Sequence, residues 1–536
     1  MSKRVFLFMT AGLVACSIFA VGATAVSAAE VTLRMKGGDF QVTGDLRSFD
    51  RSKYTISSKS LGTMSLDASR FDCIGGGCPK GNEIISAPAA GTGQTATVEG
   101  RISIAGSNTV GNQLMPAFVT AYGEAAGAKV TKIVGENPLD LDFRFTAADG
   151  REMGAVGLHR HGSSTAFTEL EKGMTDIGMS SRPIKPEEVK KLQAAGFANA
   201  AAPGSEHVIG LDGLMVLVSQ SNNTVSLPID TIAKIFSGQI RDWSEVGQPA
   251  GKINVYSPSA QNGTFDTFES LVLKPRKLEL TPDAKRTENH AEQSDWVAQD
   301  PLGIGFTGIA YQRNAKALNI ETSCGLVSPP SIFSIKTEEY PLSRRLFLYT
   351  KGEPKSALAR GILEFALSPK AQPIIKAADF IDQVPETIAY DAQAARFAQA
   401  LNATAEDFDE RLMAALMTDV KARERLSTTF RFQTGSFTLD NKALGDIARL
   451  RDVLAGGRFK GKSLILAGFA DNVGNFRSNL NLADARARAV QNALGELGAS
   501  APQLSVKSYG ELAPVSCNDT DTDRQFNRRV EVWLEK

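Results

Sequence analysis

One run near the C-terminus constrains this chain more than any other: Ser463-Leu-Ile-Leu-Ala-Gly-Phe-Ala470, then Asp471-Asn-Val-Gly474, then the segment through Arg486 and Ala487. The first part has the make-up of a half-buried strand. In the last part, Ala483, Ala487, Val490, Leu494 and Leu497 recur at helical spacing. The pattern predicts strand, turn and helix, with Asp471 in the turn leaving the strand and Arg486 on the helix. A fixed anion and a fixed cation flanking one turn suit a zwitterionic ligand, such as the amino and carboxylate ends of an amino acid. Arginine adds a planar fork that grips a carboxylate through two parallel hydrogen bonds. The plainer alternative is that the two side chains pair with each other at the surface, and spacing alone favours it.

This stretch, together with Asn527-Arg528-Arg529-Val530-Glu531, resembles the peptidoglycan-binding module of the OmpA-like family. The family pattern is a strand, T-D-x-x-G, an Asn, L-S-x-x-R-A and a closing N-R-R-V-E strand. Ala470 and Ala483 stand where the family usually has Thr and Ser, and neither change removes a charge. The resemblance covers about the last hundred residues and implies that Asp471 and Arg486 hold the diaminopimelate residue of the peptidoglycan stem peptide.

The rest of the chain is too long for one core: 536 residues imply two to four domains. Lys plus Arg and Asp plus Glu are 59 each, so no basic surplus points to nucleic acid, and no pattern points to a membrane surface. Lys3-Arg4, an apolar run from Val5 and the small-residue site Val26-Ser27-Ala28 mark residues 1–29 as a signal peptide. Leu13-Val14-Ala15-Cys16 also fits a lipobox. Cleavage near Ala28, leaving a periplasmic protein, is preferred; lipidation at Cys16 and association with the outer membrane is the alternative. An exported chain can keep disulfides. Cys73 and Cys78 flank a glycine-rich loop and are expected to be bridged, whereas Cys324 and Cys517 are left either as free thiols or as a bridge between two domains. No metal site or cofactor is expected, because no second Cys pair or helical His pair is present.

Residues 30–95 read as a small β module, with strands at Val31–Met35, Phe40–Thr43 and Lys53–Ser57, a close at Phe71–Cys73, and no recognisable chemistry. Gly81 to Gly100 reads as a linker. From Arg101 the texture becomes α/β, and small polar residues stand at helix starts four times: Ser107-Asn108-Thr109, Ser163-Ser164, Ser180-Ser181 and Asn262-Gly263-Thr264. Helix N-termini offer free backbone N–H groups to anions. One such start is an ordinary cap; four in one α/β region point to a shared crevice.

This ordered set resembles the phosphate-binding proteins of bacterial ABC transporters, with the type II periplasmic binding fold. The matching pieces are Gly106-Ser-Asn-Thr-Val110, the Gly162-Ser-Ser164 loop, Thr175 to Pro183, Asp212 to Val218, Ile235 to Trp243 and Leu302 to Tyr311. The resemblance implies two α/β lobes over residues 100–385 that close on an anion, with Asp212–Val218 as the first crossing and Pro341–Tyr349 as a returning strand. Two expected anion contacts are missing. Pro258 stands where the best-known phosphate binders carry an Arg, and Ser181 where they carry the Asp that accepts the anion's proton. Arg160 and Arg182 are the candidate basic substitutes. The resemblance therefore implies a small oxyanion, with phosphate as the leading candidate, and an ABC transporter permease as a partner. Trp243 is expected to pack under a lobe, and His159 and His161 to lie at the surface.

Residues 386–426 read as a helical connector, and 427–536 as the closing α/β sandwich. There is no G-x-S-x-G, H-E-x-x-H or G-x-x-x-x-G-K-[ST], so an enzyme is not expected. Two classes remain. One is a solute-binding protein moored to the wall; the other is a structural or interaction protein of the envelope whose lobes no longer bind a small anion.

Overall fold

The computed structural model describes residues 30–36, 41–49, 53–58, 62–79, 98–260, 262–287, 289–402, 409–432, 436–456, 459–495 and 503–536. The expected signal peptide, Cys16 and most of the expected linker lie outside these residues. Among the described residues no helix is long and apolar enough to cross a membrane. The chain divides into two compact units, Met1–Gln94 and Thr95–Lys536.

The first unit is one antiparallel sheet in the order Gly62–Asp67, Lys53–Ser58, Gln41–Phe49, Glu30–Met35, Phe71–Ile74. Alternation puts Val31, Leu33, Val42, Leu46, Ile56 and Phe71 in its core. Cys73 and Cys78 are joined by a disulfide. The strand Gly62–Asp67 has no counterpart in the sequence reading, since Gly62, Ser65 and Asp67 dilute its strand signal.

The second unit holds two lobes around one sheet of eleven strands. One lobe centres on Gly100–Gly106, flanked in parallel by Glu152–His159 and Ile177–Ser180. The other centres on Asn254–Pro258, flanked in parallel by Lys285–Thr287 and Gly303–Gly308. Parallel strands covered on both faces read as nearly unbroken apolar runs, as in the fully buried Ile177–Ser180. Each lobe has its own core, one around Phe118, Phe143 and Ile362, the other around Phe236, Phe268 and Phe306. Trp243 is buried in the second, its indole N–H donating to Leu302 O at 2.9 Å.

Two long antiparallel strands, Glu206–Val218 and Ser343–Tyr349, join the lobes. The first contributes Ile209 to one core and Leu211, Leu214, Val216 and Val218 to the other. It passes between the lobes alongside Ser343–Tyr349.

The C-terminal sheet runs Thr387–Ala389, Arg423–Arg431, Arg529–Glu535, Ser463–Gly468, Gln503–Ser508. Helices Asn441–Ala455 and Phe476–Leu494 cover one face. The residues read as a helical connector behave differently from that reading. Thr387–Ala389 is an edge strand of this sheet, and its neighbour already begins at Arg423. Helices Ala394–Asn402 and Glu410–Lys421 cover the sheet's second face, with Phe397, Met413, Leu416 and Val420 packed against Ile465, Phe469 and Trp533. Their apolar stripe is a layer of the core rather than a free spacer.

This module is welded to the binding lobes. Cys324 and Cys517 are joined by a disulfide. Ser323 donates to Asp519 Oδ2 at 2.6 Å. Buried charges continue the seam: Glu338 takes Arg345 and Arg431, and Glu339 takes Arg425. Burial alone would raise the Glu338 carboxyl; the Arg345 guanidinium overrides it and holds it well below the usual carboxylate range.

Candidate functional site

The crevice between the lobes is organised by Arg344, which the sequence places in the returning strand without a role of its own. It lies on Ser343–Tyr349, directly opposite Asp212 in the antiparallel register. Its Nε donates to Asp212 Oδ2 at 3.1 Å, and both side chains are buried. Its Nη2 donates to Thr109 Oγ1 at 2.9 Å and to Gly263 O at 3.1 Å. One guanidinium thus touches a small-polar loop of each lobe. Burial lowers its pKa, and Asp212 opposes that shift. The signal available in sequence was an arginine pair inside an otherwise apolar returning strand.

Thr109 and Gly263 are in direct contact. A Cβ built on Gly263 would fall 2.1 Å from Thr109 Oγ1 and 2.8 Å from Thr109 Cα. The absence of a side chain at Gly263 is what lets the two lobes meet here. Asn262 caps the short helix behind it, accepting from Thr264 N–H at 2.9 Å. Thr264 Oγ1 lies 3.5 Å from His290 Nε2.

The other small polar residues form a second group. Ser163 Oγ accepts from Ser181 N–H at 3.1 Å and lies 3.3 Å from Ser181 Oγ, both residues being buried. Ser163 opens the helix Ser163–Lys172, whose first turn has no side-chain cap from Gly162. Ser107 N–H donates to Met179 O at 2.9 Å, tying the first loop to the third. Ser180 Oγ donates to Arg182 O at 2.7 Å, so it serves its own turn. Asn108 stands between Ser107 and Thr109 on the same loop.

Neither candidate substitute for the missing arginine is free for a ligand. Arg182 makes a two-point pair with Glu188 at 2.7 and 2.8 Å and donates to Ser164 Oγ at 3.2 Å. Arg160 donates to Leu139 O at 3.0 Å, to Asn112 Oδ1 at 2.9 Å and to Pro138 O. Pro258 ends the strand Asn254–Pro258 and is buried.

The C-terminal turn brings Asp471 and Arg486 near each other without pairing them. Asp471 Oδ2 accepts from Arg528 Nη1 at 2.7 Å, and Oδ1 accepts from Val473 N–H at 3.0 Å. Gly474 turns the chain at φ +100°, a region that favours glycine. Arg486 is fully buried on the helix Phe476–Leu494. Its Nε donates to Ser436 O at 3.2 Å, and its guanidinium stands 5.6 Å from the Phe432 ring centre. Among the described residues Nη1 and Nη2 have no hydrogen-bond partner. Burial brings its pKa down to about 10, with Asp471 opposing and Arg528 adding to the effect. The surface pair that spacing favoured is replaced by an Asp471–Arg528 pair beside a buried cation with two unused donors.

The closing Asn-Arg-Arg-Val-Glu segment builds this turn's support. Asn527 accepts from Val515 and Ser516 N–H, and Arg529 donates to Glu531 at 2.8 Å and to Ala513 O at 2.8 Å.

Residues 87–370, more than half of the chain, match the family described as PBP superfamily domain, and residues 431–528 match the OmpA family. A phosphate-binding protein PstS of Staphylococcus haemolyticus is 32% identical over 259 residues, covering 47% of this chain and 78% of its own length. That of Staphylococcus epidermidis is 33% identical over 197 residues, covering 35% of this chain and 58% of its own length. Among solved structures, an ABC-type phosphate transport receptor from Vibrio cholerae covers 52% of this chain and 99% of its own, at 23% identity and a TM-score of 0.40. The chain belongs to the PBP superfamily, as a member that carries an OmpA family domain behind its two lobes.

Proposed function

We propose that this protein is a cell-envelope binding protein that captures a small oxyanion, phosphate first, between its lobes and is moored to peptidoglycan. The observation that carries the first half is Arg344, a buried guanidinium that reaches Thr109 of one lobe and Gly263 of the other. It supplies the cation that Pro258 does not. Around it, the hydroxyls of Ser107, Thr109, Ser163, Ser181 and Thr264 and the uncapped start of Ser163–Lys172 provide neutral donors, while Asn108, Ser164, Ser180, Asn262 and Gly263 shape the loops that carry them. The names of the curated relatives agree with phosphate as the anion. Delivery to an ABC transporter permease and a place in the periplasm follow from that reading.

The second half rests on Arg486, whose two free donors suit the carboxylate of a diaminopimelate residue, while Asp471 faces its ammonium. Calorimetric titration of the full chain with phosphate, sulfate and arsenate tests the capture reading. A 1:1 exotherm with one of them is expected, weakened at least tenfold in Arg344→Met, since a charge-assisted hydrogen bond contributes about 1.5–3 kcal/mol. Flat heats with all three anions from folded protein would instead favour an envelope protein whose lobes recognise something larger.

A further inference from the structure

Two of the four histidines in the chain converge on a single carboxylate that neither the crevice nor the wall-binding turn uses. Asp140 and His159 are direct cross-strand partners on Asp140–Thr146 and Glu152–His159. His161 follows two residues past the strand end, just ahead of Gly162 at φ +96°, and reaches the same carboxylate. His159 Nδ1 lies 3.0 Å and His161 Nε2 2.7 Å from the same oxygen, Asp140 Oδ1. Arg160, between the two histidines, donates to Leu139 O, Pro138 O and Asn112 Oδ1, away from Asp140. We propose that Asp140, His159 and His161 form a binding site for a divalent transition-metal ion of the zinc class.

The three ligand atoms lie within 4.8 Å of one another. In a tetrahedral site with bonds of about 2.0–2.2 Å, neighbouring ligand atoms stand about 3.3 Å apart. The two spacings to Asp140, 3.0 and 2.7 Å, are shorter than this, so a withdrawal of the Asp140 carboxylate by about half an ångström opens the triangle to an ion. Two imidazoles and one carboxylate are a borderline-to-hard donor set that suits zinc and its neighbours rather than calcium or magnesium. The fourth position falls to solvent, as in zinc sites with three protein ligands. A cavity of about 430 Å³ lined by Asp140, Asp142, His159 and Asp176 gives the ion a path from solvent. Gly157 leaves the His159 ring room, its would-be Cβ lying 3.4 Å from Nε2. Sequence reading had looked for paired cysteines or a helical histidine pair. This set spans a strand pairing and a turn, so no linear spacing announces it.

The site shares the 159–164 loop with the anion loops but no side chain, so it stands or falls independently of oxyanion capture. The test uses the full chain carrying Cys16→Ser, since Cys16 is the one cysteine outside the two disulfides. Zinc chloride is titrated by calorimetry and cobalt(II) by visible absorption in a non-chelating buffer at pH 7.5. One equivalent per chain is expected, with affinity falling at least tenfold in Asp140→Asn and in His161→Ala. His207→Gln, a histidine elsewhere in the fold, keeps the parent affinity. His161 is exposed, so its variant reports on ligation even if Asp140→Asn fails to fold. Absence of stoichiometric zinc binding in the parent overturns the proposal, as does unchanged affinity in a His161→Ala chain that melts like the parent.

Discussion

Replacing Arg486 by methionine is expected to move stability and wall binding in opposite directions. The guanidinium is fully buried, and two of its three nitrogens have no partner among the described residues. Burial lowers its pKa from 12.5 to about 10. Each tenfold change in acidity is worth about 1.4 kcal/mol, so the charge costs the folded state about 3 kcal/mol at pH 7. That cost is fully present below pH 10 and is released as pH rises through the folded and then the unfolded pKa. Methionine keeps the apolar stem and removes the charge, and exchanges of this kind often stabilise by about 1–4 kcal/mol. At about 2–4 °C per kcal/mol, calorimetric melting of the C-terminal transition should rise by several degrees. Co-sedimentation with purified peptidoglycan should fall at least tenfold, because the lost charge-assisted bonds are worth about 1.5–3 kcal/mol. A variant that melts lower than the parent would show that the guanidinium has a structural partner and refute the desolvation argument. A variant that still sediments would refute the ligand role.

Asp471→Ala should also abolish sedimentation but lower stability, by about 3–5 kcal/mol, because it strands the buried Arg528; equal melting of variant and parent would count against that pair. Gly263→Ala should weaken oxyanion binding, since its Cβ would fall 2.1 Å from Thr109 Oγ1 and force the two loops apart; unchanged calorimetric affinity would contradict this. His207 is held neutral by burial, its pKa pushed down to about 4. Its folded value lies below the unfolded one, so stability is complete above pH 6.5 and falls by about 3 kcal/mol as pH drops to 4. Urea unfolding of His207→Gln between pH 7 and 4 should show a correspondingly shallower loss, and parallel curves would exclude the histidine as the source.

Much of this molecule was legible because its signals are local. The strand at Ser463, the helix carrying Arg486 and the four small-polar loops each announce themselves within a dozen residues through periodicity and turn chemistry. What was not legible depends on partners distant in the chain. Arg344 reads as a charge in a strand until the register sets it opposite Asp212 and beside Thr109 and Gly263. Residues 386–426 read as a helical connector, but a helical pattern does not say which surface covers its apolar stripe, and here it is the second face of the C-terminal sheet. Asp471 and Arg486 stand out in the sequence as a charged pair around one turn, while the pairing of Asp471 with Arg528 needed the closing strand to fold back.

The Cys324–Cys517 bond changes what a protease can do to this protein. It encloses the return crossing, both layers of helices and most of the C-terminal module in one covalent ring. A single cut anywhere between residues 324 and 517 opens that ring without dividing the molecule. Under oxidising conditions the nicked protein would still run as one species, its two halves joined through the disulfide. Reduction, or a second cut, is then needed to separate the lobes from the C-terminal module.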